Sequence, residues 1–352
     1  MPGTNSVRTA TVLLATAALV PLAAAEETRT LQATLPFQEG VAFTVENLAG
    51  TMTVQGAEVT AVEVTATVHA EDGHLADAVS LRRVPGKSGV ATLRVVYPLG
   101  SVRTFHHPEG GSSSVEYEGR RVRFSDRGGT RLWADVEIRV PREGVHGTFR
   151  NLVGSLEAQG FAGEILLDTA NGDIQARRLG GRVKADTGAG DVDASDLTGT
   201  FSCDTGSGAC LVADFDGERV SCDTGSGTVQ VRRVRADRLW ADTGSGDVRV
   251  DAADVAEFRV DTGSGRVEFA NPGSRLRRVL ADTGSGDVRL RLSPDAAFEL
   301  AVDMGSGDLL CRFEDARPVV HRRRVVGYRR GDGSIRMVVD TGSGDVIVEP
   351  LR

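Results

Sequence analysis

The sequence predicts an all-β protein in which a parallel β-solenoid follows a more irregular, β-rich N-terminal part. One observation is a repeat: "DTGSG" or a close variant occurs nine times between residues 168 and 345. A second is the alternation of apolar and polar residues beside each copy, which is the period of a strand. A third is composition, since 43 of 352 residues are glycine and no stretch shows a helical period. A fixed period near 20 residues indicates stacked rungs.

The first 25 residues have the pattern of an export signal. Arg8 is their only charge, the apolar run "TVLLATAALVPLAAA" follows it, and small residues precede Glu26. The run is shorter than the roughly 18 apolar residues that a spanning helix needs. We therefore expect residues 1–25 to be removed and the mature chain to be exported to the periplasm, the cell surface or the medium, without a membrane span.

Charge disfavours one broad class of partner. The chain carries 41 basic and 49 acidic side chains, for a net charge of −8. Loss of Arg8 with the signal would leave 40 against 49, or −9. This acidic excess argues against nucleic acid as a general partner.

The repeat defines the predicted organisation. Residues 26–150 form the N-terminal β-rich part of the solenoid, with a loop insertion at 98–131. Residues 151–352 form the regular part, with an Arg-rich insertion at 312–336. The repeated aspartates are 18, 18, 19, 19, 19, 21, 21 and 37 residues apart, and "NLVGSLEA" and "NLAGTMTV" are degenerate units farther upstream.

Alignment of the units predicts the rung. Apolar residues alternate before the turn, as at Leu239 and Ala241, and again after it, as at Val248 and Val250, with polar Arg249 between them. Each unit is therefore strand, Gly-rich turn, strand and a variable connection. A buried apolar side chain contributes about 1.5–3 kcal/mol, so stacking is the main predicted source of stability.

The motif Asp-Thr-Gly-Ser also occurs in aspartic proteases, where two carboxylates share a proton across a cleft. Repetition favours a structural role instead, in which each carboxylate accepts the N–H groups of its own turn. The predicted turn caps are Asp168, Asp186, Asp204, Asp223, Asp242, Asp261, Asp282, Asp303 and Asp340.

A calcium-stabilised repeat is an alternative, because "GSGDVRV" resembles half of a calcium-binding nonapeptide. The second acidic position is interrupted, however, by Ala209, Thr228 and Arg266. We predict no metal site, no cofactor and no catalytic residue.

Two further features carry predictions. Cys203 and Cys222 hold the same slot in adjacent rungs, so their separation of about 4.8 Å fits a disulfide. Arginines crowd the insertion at 312–336, which predicts a contact for an anionic partner such as a surface glycan or an envelope protein. The candidate contact residues are Arg322, Arg323, Arg324, Arg329 and Arg330.

Several stretches together resemble the DUF4097 family of bacterial β-strand-repeat proteins, which are regarded as candidate adhesins. They are "VENLAGTMTVQG", "VEIRVPREGVHGTFRNLVGSLEAQGFAG", the "DTGSGDV" units and "GDGSIRMVVDTGSGDVIVEP". The resemblance implies the solenoid fold and an adhesive or scaffolding role in the cell envelope, and it brings no catalytic residues. A polysaccharide-active enzyme on a β-helix is the alternative from another class, and it requires non-repeated acids that converge on one face.

Overall fold

The computed structural model describes residues 26–86, 89–106 and 112–351, so the predicted export signal lies outside the described residues. The described chain is almost entirely strand, with one short helix, α1 (Gly73–Ala78). The strands of the N-terminal part are β1 (Glu27–Pro36), β2 (Phe43–Ala49), β3 (Met52–Ala57), β4 (Ala61–Ala70), β5 (Ser80–Pro85), β6 (Ala91–Val96), β7 (Thr104–His106), β8 (Ser112–Tyr117), β9 (Arg120–Ser125), β10 (Leu132–Pro141) and β11 (Val145–Val153).

The repeat region continues this series without a helix. Its strands are β12 (Leu156–Gln159), β13 (Ala162–Asn171), β14 (Ile174–Arg177), β15 (Gly180–Ala189), β16 (Val192–Thr205), β17 (Cys210–Thr224), β18 (Val229–Thr243), β19 (Val248–Asp251), β20 (Asp254–Thr262), β21 (Val267–Asn271), β22 (Arg278–Ser285), β23 (Val288–Leu292), β24 (Phe298–Ser306), β25 (Leu309–Cys311), β26 (Arg317–His321), β27 (Arg324–Arg330), β28 (Ile335–Ser343) and β29 (Val346–Pro350).

Two long sheets face each other and confirm the predicted solenoid. The front sheet holds the strands that precede the turns, in the order β5–β6–β2–β11–β13–β15–β16–β17–β18–β20–β22–β28–β24–β27–β26. The back sheet holds the strands that follow them, in the order β1–β4–β10–β3–β12–β14–β16–β17–β18–β19–β21–β23–β29–β25. Strands β16, β17 and β18 are long enough to run through both sheets.

The core lies between the two sheets, as the alternation predicts. In β18, Val229, Val231, Leu239 and Ala241 are buried, while Gln230 and Trp240, which alternate with them, point outward. Across the core, Phe258 of the front sheet stacks on Phe269 of the back sheet at 4.2 Å between ring centroids. Each rung therefore buries its own apolar side chains against those of the neighbouring rungs.

The N-terminal end is closed by antiparallel strands. Strands β1, β4 and β10 extend the back sheet, and the β5–β6 hairpin extends the front sheet. The region predicted as a loop insertion, 98–131, contains a separate three-stranded sheet of β7, β8 and β9. Alternating buried residues explain it, because Val115, Tyr117, Val122 and Phe124 all pack inward.

The last three units do not stack in sequence order. Asp340 pairs with Asp282 on one side and with Asp303 on the other, so the final unit lies between its two predecessors. The 37-residue spacing makes this possible: β26 and β27 form an antiparallel hairpin, and β27 covers the free edge of β24. The chain then returns as β28 on the opposite side of β24. We call residues 317–330, which form β26 and β27, the Arg-rich hairpin.

Candidate functional site

The predicted turn caps form one continuous column that crosses the front sheet near the C-terminal ends of its strands. We call it the Asp column. Its members are paired in register, in the order Asp168, Asp186, Asp204, Asp223, Asp242, Asp261, Asp282, Asp340 and Asp303. Most are exposed, as expected for residues that follow an inward-facing position. Burial and the neighbouring aspartates raise the pKa of Asp242 above its ordinary value, and the same two causes act on Asp282.

The capping hydrogen bonds lie one residue later than the sequence predicts. Thr243 Oγ1 accepts from the N–H of Gly246 at 3.0 Å and donates to the carbonyl of Gly227 in the preceding rung at 3.1 Å. Thr205, Thr224 and Thr262 make the same pair of bonds. No turn N–H within the described residues donates to a carboxylate of the Asp column. A threonine hydroxyl can do both jobs because it donates as well as accepts.

The second acidic position also holds rungs together. Asp191 accepts from the N–H of Ala209 at 2.8 Å, and Asp247 accepts from the N–H of Arg266 at 2.8 Å. The carboxylate therefore accepts a backbone N–H of the next rung, whether or not that rung has an acidic residue at the same position. Among the described residues, no three His, Cys, Asp or Glu side chains are grouped so that they could hold a metal ion.

The Asp column continues upstream with a different charge pattern. Arg94, Glu46 and Arg150 occupy its next slots, beyond Asp168. Arg94 Nε donates to Glu46 at 2.6 Å, Arg150 Nη1 lies 3.6 Å from the same carboxylate, and Arg150 Nη2 lies 2.6 Å from Asp168. The predicted degenerate units are also in register, since Asn47 pairs with Asn151.

A cleft of about 600 Å³ opens beside these charges, between the front sheet and the β8–β9 hairpin. Three non-repeated acids line it, Glu46, Glu116 and Glu118, which is the kind of convergence that the enzymatic alternative requires. Glu46 is held by two arginines, and Glu118 lies 3.7 Å from Arg94. The sequence did not point to this cleft, because its walls come from strands far apart in the chain.

The cysteines form a cluster that the predicted pair only partly describes. Cys203 and Cys222 are neighbours in register, and Cys210 lies within hydrogen-bonding reach of both. Cys203, Cys210, Cys222 and Cys311 are all free thiols, so the structure contains no disulfide between Cys203 and Cys222. Burial raises the pKa of the Cys210 thiol well above its ordinary value, which keeps it protonated and unreactive.

The Arg-rich hairpin presents four of its five candidate residues to solvent. Arg322, Arg323, Arg324 and Arg329 are exposed. Arg330 instead turns inward, where its Nε lies 2.6 Å from Asp315 and its guanidinium lies 4.9 Å from the ring centre of Phe313. Arg330 is therefore a packing residue, and three of the exposed arginines, Arg322, Arg323 and Arg324, lie at the tip of the hairpin.

That tip has a strained backbone. Arg322 and Arg323 form the two-residue turn, with φ of 48° and 68°. Such turns normally contain Asn, Asp or Gly, because a positive φ brings Cβ close to the backbone. Two consecutive arginines at these positions cost about 1–2 kcal/mol each.

Residues 134–349 match the sequence model of the family described as Toastrack DUF4097. No curated protein matches the chain. Within the described residues, no helix combines the length and apolar character needed to cross a membrane.

Solved structures from three bacterial species are similar to the chain at low identity. One is a "putative lipid binding protein" from Parabacteroides distasonis, with 12% identity and a TM-score of 0.41 over 91% of this chain and 96% of that one. The others are named as a "putative adhesin". The Bacteroides fragilis protein has 8% identity and a TM-score of 0.36 over 91% and 97% of the chains. The Parabacteroides merdae protein has 10% identity and a TM-score of 0.39 over 92% and 97%.

Proposed function

Because the chain belongs to the Toastrack DUF4097 family, we propose that it is an exported, non-enzymatic β-solenoid that binds an anionic surface glycan of the bacterial envelope. The tip of the Arg-rich hairpin makes the contact. The solenoid serves as a rigid support that holds the tip at one end of the stack.

The observation that carries the proposal is the strained arginine pair. Arg322 and Arg323 occupy turn positions where Asn-Gly would be more stable, and no ion pair joins either one to another described residue. The two-residue turn requires a positive φ at both positions but does not require arginine, so the presence of two arginines there is a pointer to function. Guanidinium groups bind carboxylate and phosphate groups through two parallel hydrogen bonds, so an anionic polymer fits the tip.

The enzymatic alternative has less support. In its best location, the cleft beside Glu46, two of the three carboxylates are already paired: Glu46 with Arg94 and Arg150, and Glu118 with Arg94. The Asp column consists of repeated residues, most of which are exposed. A binding role needs neither a general acid nor a nucleophile.

The proposal is tested with the purified chain on a glycan array, followed by binding to envelope fractions at low and high salt. We expect binding to acidic glycans that weakens strongly with salt, because exposed charges are screened over about 8 Å at physiological ionic strength. Binding to neutral glycans only, or no binding to any glycan, would contradict the proposal.

Deletion of the hairpin would be a poor test. Strand β27 covers the edge of β24, and Gly327 is buried directly against the backbone of Leu300. Phe298 and Phe313 also pack edge to face beneath it, with ring centroids 5.2 Å apart. The hairpin is therefore a cap of the solenoid. Substitutions at its exposed tip are therefore needed.

A further inference from the structure

The outer surface of the front sheet carries a large aromatic side chain among small polar ones. In register across four rungs, the residues are Lys184, Ser202, Ser221 and Trp240. The two serines between the large side chains leave a depression, since Lys184 and Trp240 stand three rungs apart, about 14 Å at the usual strand spacing. We call it the Trp240 depression.

The floor of this depression is polar, and basic side chains stand in both of its walls. It has a volume of about 390 Å³, and Thr200 and Ser202 form its floor. Arg182 and Lys184 stand on one side, and Arg219 and Trp240 on the other. The Arg219 guanidinium lies 5.0 Å from the centre of the Trp240 ring, so the two form one wall.

Hydrogen-bond donors in the wall lack acceptors. Trp240 Nε1 and Arg219 Nε are both buried without a hydrogen-bond partner among the described residues. Only seven buried side-chain atoms of the described chain are in this state, and two of them meet here. Natural proteins rarely leave such groups unpaired, so their coincidence at one depression points to a missing acceptor.

The charges of the depression are mostly basic. Lys184 is balanced by Asp186, whose carboxylate is 2.8 Å away, and Glu218 lies 3.7 Å from Arg219. No ion pair holds Arg182 within the described residues, and it is exposed. An acceptor-rich, negatively charged group therefore fits better than a neutral one.

We propose that the Trp240 depression is a binding subsite for a carboxylate-bearing sugar, such as a uronic acid unit. The carboxylate would accept from Arg182 and Arg219, the sugar hydroxyls would bond with Thr200 and Ser202, and a sugar oxygen would accept from Trp240 Nε1. The choice of a glycan rests on the proposed function, but the subsite lies on the front sheet and does not use the Arg-rich hairpin.

Tryptophan fluorescence provides the test, because the chain has only two tryptophans, Trp133 and Trp240. In a Trp133→Phe background, Trp240 is the only reporter. Titration with a galacturonic acid trisaccharide should change its emission saturably, and a galactose trisaccharide should bind at least tenfold more weakly. Inorganic sulfate serves as the probe for a simple anion site.

Two substitutions locate the binding. Ser202→Glu, which places a carboxylate on the half-buried floor, and Arg219→Gln should each weaken binding of the acidic trisaccharide at least tenfold. Arg249→Gln is the matched control, because Arg249 also points outward beside a glutamate, Glu268, but lies on the back sheet. An unchanged thermal melt verifies that each variant is folded.

Three outcomes would overturn the subsite: equal binding of the neutral sugar, equal competition by sulfate alone, or full binding by the folded Ser202→Glu variant. The hairpin variant Arg322→Asn/Arg323→Gly should bind the trisaccharide normally. If it does, while losing its envelope binding, the two sites are separate. Failure of the subsite with intact envelope binding would leave the proposed function standing.

Discussion

The Asp column and the charged residues that continue it upstream differ in charge pattern although they share one backbone geometry. At the N-terminal end, Arg94, Glu46, Arg150 and Asp168 alternate in sign, and each charge contacts its neighbour. From the middle of the repeat to the C-terminal end the column contains only aspartate. Like charges about 4.8 Å apart repel one another.

The difference shows which side chains stabilise the contacts between rungs and which do not. In the alternating stretch, the charged side chains stabilise the stack directly. In the all-Asp stretch, the threonine hydroxyls cap the turns, and burial together with the neighbouring aspartates raises the pKa of Asp242. The fold therefore depends on the threonines and tolerates the aspartates.

Removing the shared carboxylate of the alternating stretch should have the largest effect. Glu46→Gln leaves Arg94 and Arg150 without their common partner, and the Glu46 side chain is only 12% exposed. We expect a loss of about 2–3 kcal/mol in the free energy of unfolding, measured by urea denaturation. The exposed pair is the control: Glu63→Gln, which separates Glu63 from Arg139, should cost less than about 1 kcal/mol. Equal costs would contradict the distinction.

Loss of a threonine cap should have an intermediate effect. Thr243→Val keeps the shape of a buried side chain but removes the bonds to Gly246 and Gly227. We expect a cost of about 1–2 kcal/mol in urea denaturation, since a buried N–H and a carbonyl both lose their partner. A cost near zero would indicate that Asp242, and not Thr243, caps the turn.

Removing a charge from the all-Asp stretch should have the smallest effect, with the opposite sign. Asp242→Asn leaves the turn bonds intact and relieves repulsion from Asp223 and Asp261. At pH 7 we expect the free energy of unfolding to rise by no more than about 0.5 kcal/mol, in line with other surface substitutions. A clear loss of stability would show that the carboxylate itself supports the turn.

The pH dependence of that variant sharpens the comparison. Because the pKa of Asp242 is raised in the folded protein, the native state binds a proton more readily than the unfolded chain. The cost of the charge is therefore present at neutral pH, falls as pH drops through the raised pKa, and vanishes below the ordinary value. The advantage of Asp242→Asn over the unsubstituted chain should be present at pH 7 and absent near pH 3. An advantage that persists at pH 3 would exclude a charge effect.

Much of the fold could be predicted because the same pattern of apolar and polar residues recurs in successive rungs. The period and the alternation identified the inward residues, such as Val248, without any knowledge of contacts. The position of the Asp340 rung could not be predicted, because a spacing of 37 residues does not say on which side of the end rung the chain returns. The threonine caps were missed because Asp and Thr recur together, and only hydrogen-bond geometry separates their roles.

The binding surfaces were harder to predict for a similar reason. The Arg-rich segment was visible as a composition change, but the inward direction of Arg330 depends on Phe313 and Asp315, which lie outside the hairpin. Trp240 could have been noticed as an aromatic residue at an outward position of the repeat. Its unpaired N–H group, by contrast, is a property of the packed structure.

The most direct test of the proposed function is the double substitution Arg322→Asn/Arg323→Gly, with stability and envelope binding measured on the same protein. It replaces a strained turn with a favoured one, so the free energy of unfolding should rise by about 1–2 kcal/mol or more. The same change removes two of the four exposed candidate arginines of the hairpin, so salt-sensitive binding to envelope fractions should fall at least tenfold. A variant that is more stable and binds as well as the unsubstituted chain would contradict the account.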